Sequence, residues 1–329
     1  VVMNFVLPAR FDENNLKVIR EIGLLADEPD LVLDFTRVSF VFPFPTLAIA
    51  VALLGLLEKR RASGLDTSTI GTDYTFGAIS YLKFFGFFEA LGLPAGNPPA
   101  QARGNDRYLP ITVITRQELE SASENQPFQL EIDRQSDRLA TVIFPGDENA
   151  GPVIMLSYCL REIIRNAFEH ADVDECFVMA QRWSDGVAEI TIADRGMGIF
   201  QSLSRQHNVA EPADAIKLAL LPGITSGANR ATGSPWDNSG FGLYVTSELG
   251  KQFGSFSILS SSTLLQCESG REAIFDIQCT GTIVKLRIST SDGEYFPNIL
   301  NGIVSEGERI AMATHGAVSY THLTLPTKA

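Results

Sequence analysis

The sequence predicts an α+β protein of two units: a small α/β unit, then a larger two-layer sandwich in which helices cover one face of a mixed, largely antiparallel sheet. Three observations lead there. A helix-period apolar stretch from about Val153 to His170 runs into two strand-like stretches, Cys176–Trp183 and Val187–Ala193. These are joined by Ser184-Asp185-Gly186, whose Asp-Gly favours a primed hairpin turn. Further short strand-like runs crowd residues 256–288, grouped rather than alternating with helices, which is the α+β order. Between the two halves, Leu93–Asp106 is rich in Pro, Gly and Asn and reads as a boundary.

Along the chain, Leu31–Phe42 reads as a buried strand interrupted by Asp34 and Arg37, with Thr46 as N-cap of a core helix running to about Arg61. Val38–Leu57 holds 20 residues without a charge, the length of a membrane-crossing helix. Pro43 and Pro45 divide that run, so a soluble core helix is expected instead. Residues 70–93 predict a second helix, with aromatics at 81, 84, 85 and 88 packing at helical spacing. After a linker at 94–108, strands are expected at Ile111–Ile114 and Phe128–Phe144, connecting through 109–152 into a domain over 153–290. That domain is expected to hold the Val153–His170 helix, the hairpin, a polar, Gly-rich region at 201–239 with one helix at Ala213–Leu221, a helix at Leu243–Phe253 and the final strands. Residues 291–317 read as a truncated C-terminal extension. Residues 318–329 resemble a translated sequencing adapter, and the start at Val1 reads as truncated.

Composition narrows the function. The 329 residues are 45% hydrophobic and 20% charged, enough apolar material for a real core. A net charge of −13 argues against a nucleic-acid or anionic-membrane partner held by bulk electrostatics. Cys159, Cys176, Cys267 and Cys279 lie far apart, without a C-x-x-C pair, as expected for reduced thiols in a cytoplasm.

Three stretches can share one task. Glu162 and Asn166 stand at i and i+4 on one helical face, where a carboxylate can align a hydroxyl or water and an amide oxygen can coordinate a hard cation. Asp194-Arg-Gly196-Met-Gly198 follows a strand, placing an acceptor for an exocyclic amine beside glycines that let a flat base approach. Ser239-Gly240-Phe-Gly242-Leu243 opens a helix, whose amides favour phosphate.

In this order the stretches resemble the GHKL ATPase superfamily, which includes gyrase, heat-shock chaperone, histidine-kinase and anti-sigma-factor-kinase ATP-binding domains; the likeness covers about Val153 to Ser289. The resemblance implies ATP and Mg²⁺ as ligands, Glu162 as general base and Asn166 as metal ligand. It also implies adenine recognition by Asp194 with Gly196 and Gly198, phosphate contacts from Gly240, Gly242 and Leu243, and an adenine-side water at Thr282. The region between the glycine stretches would be a mobile lid in which Arg230 could reach a phosphate. More loosely, Leu31–Phe40 is similar to a strand of STAS-like domains, although Phe42-Pro-Phe-Pro45 stands where their acceptor serine would lie. These likenesses imply a cytoplasmic, bacterial-type signalling protein: a Ser/Thr kinase of the anti-sigma-factor kind, or a lid-gated ATPase, with a regulatory protein partner. They leave room for a homodimer. The alternative is a non-catalytic nucleotide-binding interaction module.

Overall fold

The computed structural model describes residues 2–93, 95, 107–123, 126–144, 150–224, 240–289 and 296–315. The protein mixes helices and sheets, as the α+β expectation requires.

The N-terminal elements are β1 (Met3–Val6), β2 (Arg10–Phe11), α1 (Val18–Gly23), β3 (Leu31–Asp34), β4 (Phe40–Val41), α2 (Pro43–Ala62), β5 (Thr67–Ile70), α3 (Gly77–Phe84) and α4 (Phe87–Ala90). A three-stranded parallel sheet runs β1-β3-β5, and β2 pairs with β4 in parallel. The single strand expected over Leu31–Phe42 is therefore two. Asp34 ends the first by accepting the backbone N–H of Thr36 at 2.8 Å and its hydroxyl at 2.6 Å, a local turn that competes with the ladder.

The helix expected to start at Thr46 starts three residues earlier, at Pro43. Prolines are tolerated in a first turn, where the missing N–H has no intrahelical acceptor. Thr46 is thus inside the helix, fully buried, and its hydroxyl has no partner. The helix expected over 70–93 is the last residue of β5, a loop and two short helices, α3 and α4, parted at Gly86, which takes φ +69°.

Then come β6 (Tyr108–Thr115), α5 (Arg116–Ala122), α6 (Phe128–Ile143), α7 (Gly151–His170), β7 (Glu175–Arg182) and β8 (Val187–Asp194). They are followed by α8 (Gly198–Leu203), α9 (Pro212–Ala219), α10 (Gly242–Phe253), β9 (Gly254–Ser260), β10 (Thr263–Glu268), β11 (Arg271–Asp276), β12 (Thr282–Ser289) and α11 (Phe296–His315). The strand expected at Phe128–Phe144 is helix α6. Its buried Ile132, Leu139, Ala140 and Ile143 recur at helical spacing, and that period overrides the β-branched content. α11, in the stretch expected to be a truncated extension, inserts Leu300, Ile303, Val304 and Ala311 into the same core as α7 and α10.

β6 to β12 form one seven-stranded sheet in the order β11-β10-β9-β12-β8-β7-β6, with every described pairing antiparallel. Helices were expected on one face, but both faces are covered. Cys176, Val178 and Ala180 of β7 pack with α7, whereas the alternating Phe177 and Met179 pack with Phe44, Leu47, Ala48 and Val51 of α2. A strand apolar at every position is one buried on both sides.

α2 explains the uncharged run. One side, Leu47, Ala48 and Val51, meets the large sheet, while Ile49, Leu53, Leu56 and Leu57 meet the N-terminal sheet. A helix apolar all round is buried all round, and no described helix is long and apolar enough to cross a membrane. At its C-terminal end, Arg60 is fully buried. Its guanidinium donates to the carbonyls of Leu25, Glu28 and Asp66 and to the Thr67 hydroxyl, which satisfies the charge.

Candidate functional site

One cleft opens between α7, the ends of β8 and β12, α8 and the start of α10. Asn166, Asp194, Gly198, Gly240, Gly242, Leu243 and Thr282 all line it. Its walls are apolar, with Ile163 and Ala167 from α7, Ile192 and Val284 from the sheet, and Ile199 and Leu203 from α8. The free interior is small, about 90 Å³, below the several hundred Å³ of common small-molecule sites.

The chemistry starts at Asp194. It ends β8 opposite Thr282 of β12, and its Oδ1 accepts the Gly196 N–H at 2.8 Å. Burial between apolar walls raises its pKa to about 6, against the opposing pull of N–H groups from Gly196 and Thr282. Near neutral pH it is an ionised acceptor in an apolar slot, suited to an amine-bearing flat ring.

Glycines let the backbone close around this carboxylate. A Cβ on Gly281, where φ is +81°, would lie 2.0 Å from the Asp194 carbonyl oxygen, and one on Gly196 would lie 2.2 Å from that of Ala171. Gly196 thus fits the turn onto the end of α7 rather than lining the cleft. The Gly240 carbonyl, in a residue at φ +70°, accepts the Gly223 N–H at 3.0 Å, a bond between two residues on either side of 225–239. That segment, including Ser239 and Arg230, lies outside the described residues, as do most of the linker and the tail from 316 onward.

α10 begins at Gly242, and its cap residue Phe241 supplies no side-chain hydrogen bond. A Cβ on Gly242 would sit 2.4 Å from the Glu162 Cβ, so α7 and α10 cross in contact there. Glu162 stands one turn before Asn166, as expected, yet it does not line the cleft. It is buried, with Oε1 held by Arg161 at 3.0 and 3.2 Å. Asn166 does line the cleft. Among the described residues, no group of three His, Cys, Asp or Glu side chains could hold a metal, so a cation here would need ligands of its own.

Sequence reasoning missed Ser260. Its hydroxyl accepts the Ile199 N–H at 2.9 Å, donates to the Gly281 carbonyl at 3.0 Å and lies 3.1 Å from the Thr282 hydroxyl. It joins α8, the glycine turn and β12 behind the carboxylate. A serine at a strand end, in a run of three serines, offered no signal for this role.

No protein-family model and no curated protein sequence matches the chain.

Proposed function

We propose that the chain is an Mg·ATP-binding regulatory protein, with a GHKL-type nucleotide domain behind a STAS-like docking unit. The observation that carries this reading is the cleft itself. Seven residues from four separated stretches converge on it, with one buried carboxylate, Asp194, and a helix start, Gly242–Leu243, on its lining.

In this reading Asp194 accepts the adenine amine, and Ile192, Val284 and Ile199 enclose the ring. Amides at Gly240–Leu243 meet the phosphates. Mg²⁺ would arrive with the triphosphate and neutralise its charge, and the Asn166 amide oxygen would hold it. Glu162 would orient water or a partner's Ser/Thr hydroxyl towards the γ-phosphate once its carboxylate leaves Arg161. A chain at −13 holds a polyanion through backbone and cation rather than through a basic surface.

The Arg161–Glu162 pairing favours a second reading, a nucleotide-binding interaction module without turnover. Equilibrium binding of Mg·ATP, with γ-phosphate release and transfer measured in parallel, separates the two. The enzyme reading expects Glu162→Ala to keep binding and lose turnover, and Asp194→Asn to lose binding. Tight binding without γ-phosphate loss, with or without cell lysate, selects the module. Absence of any adenine-nucleotide binding sinks both.

A further inference from the structure

The large sheet ends at β11, and the turn before that strand sets what it leaves open. Glu268 and Arg271 face each other across Ser269 and Gly270, which take φ +51° and +73°, a two-residue primed turn. In such a hairpin the flanking pair exchanges both backbone bonds, and bonded pairs then alternate along the antiparallel ladder. Arg271, Ala273 and Phe275 therefore bond to Glu268, Gln266 and Leu264 of β10. The Ile277 N–H, which reaches the Ser262 carbonyl at 3.1 Å, continues that alternation. The backbone N–H and C=O groups of Glu272, Ile274 and Asp276 point the other way, where no described strand follows.

Every residue of β11 is exposed, although its neighbour β10 is mostly buried. Ile274 and Phe275 are 42% and 45% exposed, and as neighbours on a strand they project from opposite faces. Glu272 and Asp276 flank Ile274 on one face, and neither carboxylate is in an ion pair among the described residues. Lys251 of α10, whose charge acts on Cys267 opposite Glu272, is itself paired with Glu248 at 2.7 Å. A second copy of the chain is a poor occupant. Pairing β11 with itself about Ile274 matches the open backbone groups but sets Glu272 against Asp276 twice, and like charges directly opposite repel. A strand with Lys or Arg at two positions four apart, and a β-branched residue midway, meets the same row with opposite charge.

We propose that β11 is a docking edge for an extended, basic segment of another protein, which adds to the sheet as a further antiparallel strand. Backbone bonds to Glu272, Ile274 and Asp276 fix its register, its two cations meet the carboxylates, and its apolar side chains cover Ile274 and Phe275. The edge acts apart from the Asp194 cleft. In the order β11-β10-β9-β12-β8 three strands intervene, which at ~4.8 Å per spacing puts Asp194 roughly 20 Å away.

The test is fluorescence anisotropy at low salt, in which the full chain is titrated into the peptide Thr-Lys-Tyr-Val-Thr-Lys-Thr carrying an N-terminal dye and a C-terminal amide. Saturable binding is expected. The counterpart with Glu for both Lys, and the form N-methylated at Val, should each bind at least about ten-fold more weakly, the first through repulsion and the second through a lost backbone donor. Glu272→Lys combined with Asp276→Lys should reverse the preference, so that the acidic peptide binds better than the basic one. Ile274→Pro should fold as the parent does, because that N–H makes no bond to β10, and should weaken the basic peptide at least about ten-fold. The charge-reversed variant reports even where the proline disturbs the hairpin. Asp194→Asn should bind the peptide as the parent does. The proposal is overturned by absence of saturable binding, by equal affinity for the acidic or N-methylated peptide, by a charge-reversed variant that keeps the parent's preference, by a folded Ile274→Pro that binds normally, or by loss of binding in Asp194→Asn. Dimerisation of the parent that Ile274→Pro abolishes would also overturn it, giving the edge to a second copy.

Discussion

Strand β8 carries two buried carboxylates five residues apart, and their surroundings differ. Glu189 faces α2. It accepts the Phe44 N–H at 3.0 Å at the start of that helix, lies 3.5 Å from Arg287 and is stabilised by the charge of Lys285, which also pairs with Glu13. Asp194 faces the cleft, where only backbone N–H groups oppose its desolvation. Both have raised pKa values because both are buried. Glu189 sits within a network joining the N-terminal elements to the large sheet, while Asp194 is held by its own turn with a cleft in front of it. A carboxylate enclosed by cations fastens structure, and one held by amides beside a cavity is poised for a ligand.

The comparison breaks most visibly at Glu189. Glu189→Ala should destabilise the protein by about 2–4 kcal/mol, because the buried Phe44 N–H loses its acceptor and Arg287 its ion-pair partner. Urea denaturation measures this, and a change below ~1 kcal/mol would deny the network a structural role. Next is Gly242→Ala, which places a Cβ against the Glu162 side chain. A loss of ~1–3 kcal/mol is expected from overpacking, with weaker nucleotide binding as α10 shifts from α7.

Asp194→Asn should behave in the reverse manner, with stability held or slightly increased and adenine-nucleotide affinity reduced about ten-fold or more, as when a charge-assisted acceptor is lost. The pH dependence sharpens this. A folded-state pKa raised from 3.8 to about 6 gives a stability contribution that is full below 3.8 and lost as pH rises through about 6. Nucleotide affinity should run the other way, falling as pH drops through about 6 and the acceptor becomes protonated. Stability that rose with pH across that window in the parent and not in Asp194→Asn would contradict the assignment. The smallest effect belongs to Thr46→Val, which removes a buried hydroxyl without a partner. A gain of about 0.5–1 kcal/mol in thermal or urea unfolding is expected.

Much of the cleft was legible because its parts are local. Asp194 to Gly198 is a strand-end turn, the Asp185-Gly186 hairpin sets the register that carries Asp194, and Glu162 and Asn166 share a helical face by spacing alone. What misled was equally local. Two prolines suggested a delayed helix start, though a first turn accepts them, and β-branched residues in 128–144 obscured a helical period that burial makes plain.

By itself, the sequence determined the hairpin, the α7 helix and the glycine turns, because hydrogen bonds and side-chain period act between near neighbours. Only the tertiary structure decided that α2 lies between two sheets, that Ser260 braces the Asp194 turn from another strand and that Arg161 holds Glu162. Those contacts join residues far apart in the chain, and which faces meet is set by packing the whole core at once, a constraint that no short window of sequence contains.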